Sequence, residues 1–138
     1  MEVVERRNFF RVPVVLPVKY SQFTPNPNAD TSFNRASMLD LSGGGMLFET
    51  PRMIQMNDSI VVRFSLPYNE KNNALQTFHL QASVIRSSYE DDKNIYNYGV
   101  EFINIASRVQ DRIIKFLFDL QIAVQKNKSA ECKLKQAE

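Results

Sequence analysis

Two hydrophobic periods divide the chain. From residue 12 to residue 105, apolar positions recur every second residue in short runs, which is the period of a strand with one buried face. Residues 12–20, 33–41, 45–50, 59–66, 76–88 and 95–105 are the six strands this pattern predicts. The fourth alternates most cleanly, with Ile60, Val62 and Phe64 on one face and Val61, Arg63 and Ser65 on the other. The fifth places Phe78, Leu80, Ala82 and Val84 together. Pro13 and Pro17 mark the first as an early or edge strand, because proline cannot donate to a ladder. The intervening stretches 22–32, 51–58, 67–74 and 90–94 carry the Pro, Asn and charged residues of connections. The expected architecture is an antiparallel barrel or sandwich.

After Ser107 the period changes to that of a helix. Val109, Ile113, Phe116, Leu117, Leu120 and Val124 fall on one stripe, suited to covering the barrel. Ile114, Phe118 and Ile122 lie outside that stripe and call for a second contact, which a homodimer through this helix would supply. Ser107 and Gln110 have capping-box spacing, and Asp111 is expected in the first turn, where the helix dipole favours an anion. The expected domain covers 1–126: a lead-in segment 5–12, a barrel 12–105 and a helix 107–126. A flexible, lysine-rich polar tail 127–138 follows.

Length and composition narrow the function. A chain of 138 residues is one domain, and 43% hydrophobic residues suffice for a core. A net charge of +2 gives no strong general affinity for nucleic acid, so DNA is not an expected partner. The positive charge is nonetheless clustered, at Arg6, Arg7 and Arg11 and again at Lys126, Lys128, Lys133 and Lys135. The single cysteine, Cys132, excludes an intrachain disulfide and suits a reducing compartment. There is no apolar signal-peptide segment near Met1 and no apolar run of spanning length, so a cytoplasmic location is expected. His79 has no His or Cys partner at metal spacing and is an ordinary surface histidine. Glu90, Asp91 and Asp92 make a charged turn without the fuller oxygen-ligand pattern of a cation site. No nucleophile–base pair and no phosphate-binding glycine loop of the GxxxxGK type occur. A regulatory module is therefore favoured over an enzyme, with no metal and no resident cofactor expected.

The chemistry gathers at Asp40-Leu41-Ser42-Gly43-Gly44-Gly45, which holds three of the four glycines. Glycine lets a chain turn sharply and lets a ligand approach main-chain N–H groups. Asp40 accepts paired N–H bonds, and Ser42 donates or accepts. Upstream, Arg7 and Arg11 stand four apart, with Arg6 just before. Arginine binds phosphate in a forked pair, stacks on flat rings, and bonds bidentately to the O6/N7 edge of guanine.

Together, Arg7…Arg11 and Asp40-x-Ser42-x-x-Gly45 resemble the RxxxR and [DN]xSxxG signatures of the PilZ domain family, in the family's order. Tyr98-Gly99-Val100-Glu101-Phe102 resembles its glycine-containing late strand. The resemblance runs from about Arg6 into the C-terminal helix. It implies a six-stranded, split antiparallel barrel and binding of cyclic di-GMP, a bacterial second messenger. The arginine segment would clamp the ligand against the glycine corner, with Arg6, Arg7, Arg11, Asp40, Ser42, Gly43, Gly44 and Gly45 as contacts. An arginine just before RxxxR accompanies a doubled, intercalated ligand in the family, so Arg6 implies two molecules per protomer. The implied output is control of motility or exopolysaccharide production, through flagellar-motor or polysaccharide-synthase components. The helix is similar to that of flagellar-brake proteins, in which the domain follows another at its N-terminal side, so a longer parent protein is expected. The competing class is a PilZ-fold protein-interaction module that uses no nucleotide; such relatives lack the arginines.

Overall fold

The computed structural model describes residues 10–23, 32–69 and 74–137. Six strands and one helix occur in the order β1 (Val12–Gln22), β2 (Asn34–Leu41), β3 (Gly45–Thr50), β4 (Ser59–Asn69), β5 (Ala74–Glu90), β6 (Ile95–Phe102) and α1 (Ser107–Ala137). All six expected strands are present. The sheet closes into an antiparallel barrel in the order β1-β2-β3-β6-β5-β4. β4 runs through Pro67, where a connection is expected, and the ladder with β5 shifts register between Pro67 and Asn69. β5 is also longer than the pattern implies, and shifts register against β6 between Val84 and Arg86.

Closure is incomplete along one seam, which explains the prolines. β1 pairs with β2 from Val12 to Tyr20, but with β4 only from Lys19 to Gln22. Pro13 and Pro17 therefore stand where β1 has one ladder neighbour and a missing N–H costs no second bond. The first half of β1 is thus an edge within a closed barrel.

The alternating apolar faces turn inward. Ile60, Val62, Phe64 and Leu66 of β4 and Phe78, Ala82 and Val84 of β5 are buried, with Leu80 half-buried. Tyr20 stacks on Phe48 at 5.4 Å, and Phe48 meets Tyr98 at 6.0 Å. The polar tips of these rings are satisfied. Tyr20 Oη lies 3.2 Å from Thr50 Oγ1, while Tyr98 Oη accepts from the Ile54 amide at 2.7 Å and donates to the Arg52 carbonyl at 3.4 Å. Tyr98 thereby ties the 51–58 connection to the barrel. Burial pushes its phenol up from the usual value, more than the Ile54 contact lowers it.

The helix covers the barrel with its first half. Ile113 and Leu117 are fully buried, and Val109, Phe116 and Leu120 pack against the core. Val124, on the expected stripe, is 45% exposed: the buried face ends where the barrel does. Phe118 is 56% exposed, and Ile122 is exposed beside it on the outer side. Arg112 donates to the Pro67 carbonyl at the end of β4.

Two details of the helix start differ from expectation. The Ala106 carbonyl accepts from the Val109 and Gln110 amides, so Ala106 holds the N-cap position and Ser107 is already helical. The capping box is thereby displaced, and no acidic residue lies in the first turn, which leaves Asp111 beyond it. The helix also continues to Ala137, past the expected end at 126, because Lys, Glu, Ala and Gln are good helix formers even without an apolar stripe. The Cys132 side chain lies outside the described residues.

Candidate ligand-binding site

The glycine corner connects β2 to β3, and four sets of bonds hold its shape. The Ser42 amide donates to the Gly45 carbonyl at 2.9 Å. The Ser42 hydroxyl accepts from the Gly44 and Gly45 amides at 3.2 and 3.1 Å and reaches the Gly45 carbonyl at 3.2 Å. The Gly44 carbonyl accepts from the Phe102 amide at 2.8 Å. The Gly43 carbonyl accepts from Gln110 Nε2 at 3.0 Å. Ser42 is buried, and its hydroxyl builds the loop from within.

At Gly45 a glycine is needed for clearance rather than for turning. None of the glycines has a positive φ. A Cβ on Gly45 would stand 2.1 Å from the Val100 carbonyl oxygen and 3.3 Å from Glu101 Cα, so β3 and β6 meet more closely there than any side chain allows. The missing side chain of Gly45 thus makes room for the barrel's own backbone. Gly99 does the same for a side chain. Its ideal Cβ would lie 3.2 Å from Arg86 Nε, so the Arg86 side chain rests on it.

Strand register sets what surrounds the corner. Val12 pairs with Leu41 and Pro13 with Asp40, so Arg11, just before Val12, lies at the end of the β1–β2 ladder where the glycine corner begins. Arg11 is exposed, and Asp40 is half-buried. Of the expected ligand residues, the structure thus brings Arg11, Asp40, Ser42, Gly43, Gly44 and Gly45 together. Arg6 and Arg7 lie outside the described residues. Register also links Asp40 to Leu47, Leu47 to Gly99 and Gly99 to Arg86, a single row crossing four strands.

Two residues of this surrounding escape sequence reasoning. Arg86 adds a cation to the face bearing Asp40, but its place beside Gly99 depends on a register shift that no local pattern shows. Gln110 fits a capping box, and only the docking of α1 reveals Gly43 as its partner. His79 is exposed, as expected. Among the described residues, no three metal-ligating side chains cluster, and no helix is long and apolar enough to cross a membrane.

The solved structure of the Bacillus subtilis inhibitor of motility MotI/DgrA matches with a TM-score of 0.68 at 20% identity, covering 86% of this chain and 52% of that one. Escherichia coli YcgR in complex with c-di-GMP matches with a TM-score of 0.65 at 22% identity, covering 91% of this chain and 50% of that one. This chain thus spans about half the length of those two proteins. The separate PilZ domain of YcgR with c-di-GMP matches with a TM-score of 0.61 at 23% identity, covering 90% of this chain and 98% of the domain. No curated protein matches this sequence. At these identities the likeness is one of fold. The family model for the PilZ domain, however, matches residues 5–119, and the chain belongs to the PilZ domain family.

Proposed function

We propose that this domain is a non-enzymatic receptor for cyclic di-GMP, with Arg7, Arg11, Asp40 and Ser42 and the backbone of Gly43, Gly44 and Gly45 as its site. The observation that supports the reading is the β1–β2 register: Val12 pairs with Leu41, so Arg11, its neighbour in the chain, enters β1 next to the Asp40–Gly45 corner. A cyclic dinucleotide of guanine needs cations for two phosphates and an acceptor for the guanine N1–H and N2–H₂ donors. Arg11 supplies the first, and the half-buried Asp40 carboxylate supplies the second. Arg86, resting on Gly99 in the row that includes Asp40, is a further cation within this face. The neighbours described with c-di-GMP support the choice of ligand.

The output in this reading is a conformational change in the cytoplasm, passed to a protein partner such as a flagellar-motor or polysaccharide-synthase component. It controls motility or exopolysaccharide production. A neighbour named as an inhibitor of motility and the PilZ domain of CeSA from a cellulose-synthesizing bacterium support both branches.

Calorimetric titration with cyclic di-GMP, cyclic di-AMP and GTP tests the ligand. Cyclic di-GMP alone should bind, and Arg11→Ala should weaken it by about 2 kcal/mol, roughly thirtyfold. Unchanged affinity in both Arg7→Ala and Arg11→Ala would remove the site.

A further inference from the structure

Away from the glycine corner, the barrel carries a line of like charge. Arg35 of β2 pairs directly with Lys19 of β1, Lys19 pairs with Arg63 of β4, and Arg63 pairs with His79 of β5. Three cationic side chains and an imidazole thus stand in one row across four adjacent strands. Lys19, Arg35 and His79 are exposed, and Arg63 is half-buried. Their same-face neighbours Pro17, Ser37, Val61, Ser65, Thr77 and Gln81 carry no charge. The Arg63 guanidinium sits 5.2 Å above the Phe33 ring, which props it in place. Among the described residues, none of the three cations makes an ion pair. Glu49, opposite Ser37 and diagonal to Arg35, is the nearest carboxylate by register and is not bonded to it.

Like charges directly opposite one another destabilise a sheet. This row has two such pairs in succession, Arg35–Lys19 and Lys19–Arg63, and lacks the alternating signs that would relieve them. A departure of this kind from local consistency is expected at a functional site, where the cost is offset when a partner binds. The row lies five residues along β2 from Asp40, about 17 Å at roughly 3.4 Å per residue, so it is separate from the glycine corner.

We propose that the Arg35–Lys19–Arg63–His79 row docks an acidic α-helix of a partner protein, laid across the strands. Neighbouring strands are about 4.8 Å apart, so the row offers one donor at about that interval. A helix with a carboxylate stripe presents one every turn, about 5.4 Å, a close match. An extended acidic strand places same-side carboxylates about 6.7 Å apart and falls out of step after two. The net charge of +2 gives no general pull toward nucleic acid, whereas three uncompensated cations in line suit a short acidic helix.

The test uses the full chain and an alanine-based helical peptide with one glutamate stripe over about four turns. Fluorescence anisotropy should show binding to this peptide, at least about tenfold tighter than to its glutamine counterpart. The double variant Lys19→Gln/Arg35→Gln should weaken binding by about tenfold. Lys19→Gln alone should raise the melting temperature, because it removes both like-charge pairs. Three results would overturn the proposal: equal binding by the double variant, a lowered melting temperature for Lys19→Gln, or tighter binding to a single-stranded oligonucleotide or phosphatidylserine vesicles than to the glutamate peptide.

Discussion

Glycine and asparagine divide the backbone's special positions between them. Among the described residues, the left-handed positions are held by Asn57, Asn94 and Asn104, a residue type that tolerates that region. Gly45 is used instead where two strands approach too closely for a Cβ, and Gly99 where the Arg86 side chain packs tightly against the backbone. Gly45→Ala should therefore destabilise the barrel by about 2 kcal/mol or more, because the Val100 carbonyl belongs to a ladder and cannot yield. A thermal melt decides this, and an unchanged melting temperature would show that β3 and β6 separate easily. Tyr98 offers a second measurement. Tyr98→Phe leaves the Ile54 amide without its acceptor and should cost about 1–2 kcal/mol by urea denaturation at neutral pH. The wild-type phenol titrates above the usual 10.0, so it favours the folded state fully below pH 10. That contribution disappears as pH rises through the raised value. Wild type should thus lose stability above pH 10 faster than Tyr98→Phe, and parallel pH profiles would contradict this.

The helix shows how one element serves two surfaces. Leu117 faces the barrel and is fully buried, while its neighbour Phe118 is 56% exposed. Leu117→Ala should cost about 2–5 kcal/mol through transfer and cavity terms. Phe118→Ala should stay within about 0.5 kcal/mol. Paired urea titrations compare them, and similar losses would mean that the outer face is covered in solution. α1 also reaches the candidate site, since Gln110 holds the Gly43 carbonyl. The glycine corner is therefore bonded to β6 and to α1 as well as to its own strands, so any movement there is felt by the helix.

For the molecule as a whole, ligand stoichiometry is the chemical consequence of the cyclic di-GMP reading. Arg6 precedes the Arg7…Arg11 pair, and we propose that it adds charge for a second, intercalated cyclic di-GMP. Calorimetry should then give about two ligands per protomer for wild type and about one for Arg6→Leu. A wild-type ratio near one, with fully active protein and ligand in excess, refutes this. The molecule would then have two functional faces: a glycine corner for nucleotide, and the Arg35–Lys19–Arg63–His79 row for a partner.

Much of this architecture was legible in the residues because it depends on local periods. Alternation at Ile60, Val62 and Phe64 predicts an inward face in any antiparallel closure, and the change to helical spacing after Ser107 predicts an amphipathic helix. The Arg7…Arg11 and Asp40-x-Ser42-x-x-Gly45 patterns identify the family because their spacing is itself the signal. What only tertiary structure decided are relations between distant segments. Gly45 answers to Val100, Gln110 to Gly43, and Arg86 to Gly99, and each depends on strand register or helix docking. The basic row is the clearest case. Lys19, Arg35, Arg63 and His79 are scattered over four strands, and a shift of one residue in any ladder would turn one of them to the opposite face. Period is encoded by neighbours in the chain, whereas register is settled by the packing of all six strands at once.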